Sequence, residues 1–442
     1  MRLFHAAASA LALALASQPV AAEDLATKAA IEGEYDSYLA PLFLEFHQNP
    51  ELGFLENRTA AKMAAELKAA GLTVTTGVGG TGVVGILKNG KGPTILIRAD
   101  MDGLPVEEKT GLAYASRAKQ VGEDGKEYPT MHACGHDTHI TAMLATARRL
   151  VATKSQWSGT LMFVVQPAEE GVRGAKRMME DGLYQRFGKP DYALAFHVAA
   201  ELETGKVSAS EGIQYSSSDS LDIIVPGIGT HGAAPHLGRD PVYIASQIVT
   251  ALQSIDSREI SPVKPVVVTV GSFHAGSKHN IISDEAVLQV TVRANDEETR
   301  EQVIATVERI AVNIGKAHGL PENLPVKVRR GSGTPTTIND GALARRLNAV
   351  MKRELGEAAV VPFEQKNMGA EDFTYFVGPD TGVPGYYFAV GGTTPERIAA
   401  AKAGGPPIAG HHSPLFQIAP RESITLGARA MVAAVLDLAA KK

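Results

Sequence analysis

The sequence predicts an α/β protein whose larger domain holds a mixed, largely parallel sheet flanked by helices, interrupted by a ferredoxin-like α+β insert. Three observations carry this expectation. Near-continuous apolar strand candidates alternate with helical segments, as they do where a sheet is buried on both faces. Three of these strands run into charged or metal-capable residues: "PTILIRADMD" into Asp100 and Asp102, "GTLMFVVQPAEEG" into Glu169 and Glu170, and "DYALAFHV" into His197. Open α/β sheets place their sites at such carboxyl ends. From about Ser216 to Arg330 the order of elements changes to β-α-β-β-α-β, the split βαβ arrangement.

The N-terminus comes first. Arg2 supplies a short positive region, "HAAASALALALAS" an apolar core, and Val20 and Ala22 the small residues of a cleavage site. This pattern predicts a signal peptide over residues 1–22, with maturation near Glu23 and a periplasmic or secreted product. The apolar run is shorter than the ~20 residues a spanning helix needs, and no later stretch is better suited. Residues Asp24 to Leu72 read mostly as helix, with apolar spacing at Ala61, Ala64, Ala65 and Leu67 and a stop at Gly71. "LTVTT" is a strand. The glycines Gly77, Gly79 and Gly82 formally match a dinucleotide fingerprint, but strand-like "VVGILKNG" follows where that motif needs a helix, so a hairpin is expected.

"HDTHITAMLATARRLVA" is helical, with Asp137 or Thr138 as candidate N-cap. In the insert, "SLDIIVPG", "KPVVVTVGSF", "AVLQVTVRA" and "LPVKVRR" read as strands, and Pro241 to Ser257 and Glu297 to His318 as helices. After Thr334 the α/β style returns and ends in "GHHSP". The expected domains are therefore 23–215 with 332–442, and 216–331 as the insert. A chain of 442 residues exceeds one ordinary core. Its net charge of -5 offers no footprint for nucleic acid or for an anionic membrane surface.

The only cysteine, Cys134, lies two residues before His136 in "MHACGHDTHI". Exported chains usually pair their cysteines or lack them. A cysteine that cannot pair, on a glycine-bearing loop beside a histidine, reads as a thiolate held for zinc or a similar divalent ion.

"RADMDGLP", "MHACGHDTH", "QPAEEG", "FHV", "THGAAPHLGRDPV", "MGAEDF" and "HSPLF" occur in that order. With these motifs the chain resembles the aminoacylase/carboxypeptidase superfamily of co-catalytic metallopeptidases. The match is best with the amidohydrolase branch of hippurate hydrolases and indole-acetyl-amino-acid hydrolases. The resemblance covers nearly everything after the signal peptide. It implies that Cys134, His136, Glu170, His197 and His412 hold two divalent ions, zinc or manganese, with cobalt or nickel also admitted. It further implies a bridging thiolate, Asp102 as the carboxylate that holds a ligand histidine, and Glu169 as general base. His411 is expected to be a neighbour of the ligands. His132 and His139 are expected to support the site, and Asp100 stands where sister branches have a ligand histidine.

By the same resemblance His231 reaches into a partner subunit's site, which makes the protein a homodimer with the insert as lid and dimerisation domain. Asn280, in "HNIIS", resembles an element that contacts the substrate's carboxylate end, although Ser283 replaces its proline and suggests a looser loop. Arg293 is a candidate partner for a carboxylate. Ala370 replaces a glycine in "MGAEDF", and Glu371 is expected either to support the site from behind or to face the substrate. The activity implied is metal-dependent cleavage of the amide bond of N-acyl amino acids, or of short peptides with a free C-terminal carboxylate, through attack by metal-bound hydroxide. A metallo-dipeptidase or aminopeptidase of the same superfamily is the alternative, and a metal-binding protein without turnover is a more distant one.

Overall fold

A computed structural model describes residues 18–441. The expected signal peptide therefore lies mostly outside the described residues. No helix among those described is long and apolar enough to cross a membrane.

The larger sheet has eight strands. From edge to edge they are Thr73–Val78, Gly82–Asn89, Gly159–Gln166, Thr94–Asp100, Tyr192–Glu203, Gly385–Thr393, Val207–Ser208 and Val360–Val361. The four in the middle, Gly159–Gln166 to Gly385–Thr393, are mutually parallel. The first two form the expected antiparallel hairpin, which disposes of the dinucleotide motif. Alternation along Thr94–Asp100 shows how the sheet serves two cores. Ile95, Ile97 and Ala99 join the core beneath His136–Ala152 and the C-terminal helix Pro420–Leu438. Leu96 joins the opposite core with Met178 and Phe373. Each buried aliphatic side chain on such a strand contributes roughly 1.5–3 kcal/mol, so the central strands are strongly held in register.

The insert has its own four-stranded sheet, ordered Val266–Ala275, Glu285–Ala294, Ser218–Pro226 and Lys327–Thr334, with every neighbour antiparallel. Helices Pro241–Leu252 and Glu297–Ala317 cover one face, and they share with Leu221, Ile223 and Leu288 a core distinct from the other two. This is the strand order of a ferredoxin-like unit. The first insert helix is shorter than the sequence suggests: it ends at Leu252 and is followed by a wide, π-helical turn at Ile255–Glu259. The N-terminal helical region is interrupted at residues 49–56, where Pro50 and Gly53 break the pattern.

The helix His136–Ala152 departs from expectation at its start. Gly135, at φ 84°, occupies the cap position, and neither Asp137 nor Thr138 caps the helix. A Cβ at Gly135 would stand 2.4 Å from Val198 Cγ1, so only glycine lets this loop close on the neighbouring strand. Asp137 sits in the first turn instead. One of its oxygens accepts the Thr138 amide, and the other lies 2.7 Å from Nδ1 of buried His47. His47 Nε2 is also 3.3 Å from Glu108. Burial opposes charging this imidazole, but the bonds to Asp137 and Glu108 outweigh it and raise its pKa to about 9.

A histidine charged more readily folded than unfolded stabilises the fold fully below its unfolded pKa of 6.5, and that contribution fades as pH rises through about 9. His47→Gln should therefore lower the melting temperature most near pH 6.5, with the gap to the native protein narrowing towards pH 9–10. Thermal melts across that range would read this directly, and a gap independent of pH would refute the charged pair.

Candidate metal centre

The carboxyl ends of the central strands bring the expected ligands together. Cys134 belongs to two groups of donor atoms lying within 4.8 Å of one another: one with His136 and His197, the other with Glu170 and His412. A third group joins His136 to Glu169 and Glu170. His136 Nδ1 faces Asp102 Oδ1 at 3.2 Å, which leaves Nε2 directed at Asp100, Glu169 and Glu170 at 3.7–3.9 Å. His197 Nδ1 is 2.7 Å from the Val198 carbonyl, which leaves Nε2 for the cluster, 3.3 Å from Cys134 Sγ. Such bonds fix the tautomer that ligation requires.

The residues present fit two divalent ions. His136 Nε2 and one oxygen of Glu170 are buried with no hydrogen-bond partner, an expensive arrangement that an ion relieves. Without ions the group holds protons. Burial, with Glu170 and Glu169 nearby, pushes the Cys134 thiol well above its ordinary range. Burial, with Glu371 and Glu170, does the same to Glu169. Burial disfavours charge on His136 too, but Asp100 and Asp102 raise it to about 10. Binding ions would expel these protons.

The backbone is bent to present the donors. Ala168 and Val172, both at φ 47°, bracket Glu169 and Glu170, and His412 stands at φ 65°. Such conformations cost of order 1–3 kcal/mol each and persist only where the surroundings enforce them. Here Glu56 accepts the Ala168 amide, Asp102 accepts the Glu170 amide, and Val172 donates to the Glu169 carbonyl. His412 Nε2 lies 3.2 Å from Glu170.

Behind the cluster lies a group that sequence reasoning missed. Arg98 is buried and its guanidinium reaches Asp100 at 2.6 Å, Glu371 at 2.7 Å, Gln166 at 2.8 Å and Asp372 at 3.4 Å. Burial and the Glu371 charge raise Asp372 to about 8. The signal was in "ILIRAD": an arginine inside an apolar strand requires buried acids. Asp100 also receives His139 Nδ1 at 2.6 Å, while His139 Nε2 accepts the Val198 amide. Both nitrogens of His139 are thereby occupied, and it supports the site without ligating.

The structure corrects one expectation and leaves others apart from the cluster. Glu371 does not face a substrate. It is buried, and its oxygens are taken by Arg98, the Tyr387 hydroxyl and the Phe373 amide. Ala370 is not at positive φ, so the missing glycine costs no strain. His231 and Asn280 are neighbours on the insert, where Thr230–His231 pairs with Ile281–Ile282 and the Gly232 amide donates to the Asn280 carbonyl. His231 is exposed, and the Asn280 Oδ1 is buried without a partner. Arg293 is half-buried, bonds Thr291, and has no carboxylate in ion-pair contact among the described residues. No contact joins these three to the cluster of their own chain among the described residues.

Residues 96–403 match the model of Peptidase family M20/M25/M40. The chain belongs to this family. It is 38% identical to the hippurate hydrolase of Campylobacter jejuni over 78% of this chain and 85% of that one. Identity to thermostable carboxypeptidase 1 of Saccharolobus solfataricus is 37%, over 81% and 86% of the two chains. Its fold is similar to that of a dinuclear metal-binding M20 peptidase from Bacillus subtilis, with a TM-score of 0.73, 27% identity, and 92% and 99% of the chains covered. The protein is thus an enzyme, a metal-dependent hydrolase of the amidohydrolase and peptidase kind.

Removing one partner from a buried ion network leaves the others uncompensated, at a cost of roughly 3–5 kcal/mol. Arg98→Met should lose about that much in denaturant unfolding and should retain less metal after dialysis. An unchanged unfolding midpoint with full metal content would show that the network is dispensable.

Proposed function

We propose that this is an exported, binuclear amidohydrolase that cleaves N-acyl amino acids, or short peptides with a free C-terminal carboxylate, and works as a homodimer. The observation carrying this reading is that Cys134 is common to two ligand groups while the Glu169 carboxylate stands beside them. Cys134, His136, Glu170, His197 and His412 would hold the ions, zinc or manganese, with cobalt or nickel also suited to these donors. Two ions held there would bring a water's pKa down to about 7 and polarise the scissile carbonyl.

Glu169 accepts the proton of the attacking water and delivers it to the departing amide nitrogen. Asp102 holds His136 and the Glu170 amide in place. His231, exposed on the insert, meets the carbonyl oxygen of a substrate bound in the partner's site and stabilises its developing charge. Arg293, with its guanidinium free of any carboxylate among the described residues, and Asn280, through its Nδ2, receive the substrate's carboxylate. Similarity to a hydrolase named for hippurate, itself an N-acyl amino acid, supports this substrate class.

The deciding assay takes chelator-stripped protein, refills it with zinc, manganese or cobalt in turn, and offers acetyl, benzoyl and indole-acetyl amino acids beside unblocked dipeptides. Metal-dependent turnover of blocked substrates is expected. Turnover of dipeptides alone would favour the dipeptidase reading, and silence across a metal-loaded panel would overturn the proposal. Glu169→Gln should keep its metals and lose at least the ~10²–10⁴ in kcat that a general base supplies. For the role of His231, inactive Glu169→Gln and His231→Asn proteins should regain activity when mixed and allowed to exchange subunits, because a hybrid dimer assembles one intact site. Failure of exchanged hybrids to recover would place His231 outside catalysis.

A further inference from the structure

We propose that His411 is a positioning residue for the metal centre: a neutral imidazole protonated on Nδ1, it donates a hydrogen bond to the Cys134 sulfur. This rests on the reading of Cys134 as a metal ligand. The argument starts from the two faces of the ring. The Ala200 amide points at His411 Nε2 from 3.3 Å. A backbone N–H can only donate, so Nε2 accepts and carries no hydrogen. A neutral imidazole then has its one hydrogen on Nδ1. That nitrogen stands 3.6 Å from Cys134 Sγ, within range for a bond to sulfur, and the Cys134 carbonyl shares the reach of the same donor. Nδ1 therefore offers a proton and no lone pair, which is why His411 is not itself a ligand.

Packing holds the ring in this pose. Phe416 lies against it at 4.9 Å and His197 meets it edge-on at 5.1 Å. The adjacent histidines diverge because His412 takes positive φ and turns its ring to Glu170. One histidine of the pair thus turns to Glu170 while the other faces the Cys134 sulfur.

A hydrogen bond to a thiolate withdraws charge from sulfur. Around metal-bound cysteine such bonds tune the ion, and their loss typically costs 10–100-fold in metal affinity or activity. By drawing charge off the bridging sulfur, His411 would leave both ions the stronger Lewis acids.

Cobalt(II) reports on this bond without any assay of turnover. Cobalt-loaded native protein should show a near-ultraviolet sulfur-to-cobalt charge-transfer band, which Cys134→Ser removes. In His411→Phe, which keeps a ring and loses the donor, the band should move to longer wavelength. Zinc affinity by chelator competition should fall about 10–100-fold. In His411→Asn, whose amide can place an N–H near the lost Nδ1, band and affinity should return towards native. A native band that His411→Phe leaves unmoved, with affinity unchanged, would overturn the role of His411 while leaving Cys134 a ligand. A native protein with no such band would overturn the ligand reading itself. Should His411→Phe not fold, ¹⁵N NMR of the zinc-loaded native protein decides: a proton on His411 Nδ1 is expected, and a proton on Nε2 or a metal–nitrogen bond would sink the proposal.

Discussion

A single buried guanidinium fixes most of this site. Arg98 lies on the sheet face opposite Ile97 and Ala99, in a position that an ordinary parallel strand would fill with an aliphatic side chain. Its bonds to Asp100, Gln166, Glu371 and Asp372 tie the ends of two central strands to the segment after Met368. Burying a cation is costly unless every donor is met and the charge is matched. Those demands leave the neighbouring acids little freedom. Asp100 is held well below the usual carboxylate range: burial alone would raise it, but Arg98 and the nearby histidines prevail. An anionic Asp100 in turn fixes His139, whose second nitrogen takes the Val198 amide beside His197. Ligand placement thus begins with residues that touch no ion.

The same logic explains where backbone strain is kept. Ala168, Val172 and His412 each carry a conformation that their residue type disfavours; the first two bracket the segment of Glu169 and Glu170, and His412 is itself a proposed ligand. Valine at positive φ is especially costly, because its branched Cβ crowds the backbone. Around it, carboxylates accept the loop's amides, Glu56 from Ala168 and Asp102 from Glu170, while the Val172 amide closes on the Glu169 carbonyl. Asp102 therefore acts twice, aiming His136 with one oxygen and fixing the loop of Glu169 and Glu170 with the other.

Much of the fold was legible in the sequence because period and punctuation agree. The hairpin at residues 73–89, the helix from His136 and the β-α-β-β-α-β insert all announce themselves by spacing. The family was legible too, since its motifs are strings of chemically demanding residues. What escaped depended on partners remote in sequence. Glu371 could be taken for a substrate contact because nothing local reveals that Arg98 stands beneath it. Asp137 looked like a helix cap because aspartate favours that place, yet the tight contact of Gly135 with Val198 sets the start of the helix and frees Asp137 for His47. Both errors share a cause: a polar residue's nearest chemistry was sought along the chain when it lay across the sheet.

Charge accounting then unites the parts. Arg98 supplies one positive charge to Asp100 and Glu371 within the protein. What remains open towards the cluster is Cys134, Glu169 and Glu170, together with the imidazoles of His136, His197 and His412. Metal-free, the cluster answers its own repulsion by keeping protons on Cys134, Glu169 and His136. Ions would replace those protons, and Glu169 would then have no obligation as a ligand in the proposed set. A carboxylate that can take a proton and lose it again, beside ions that hold everything else fixed, is the feature that separates a hydrolytic centre from a storage site.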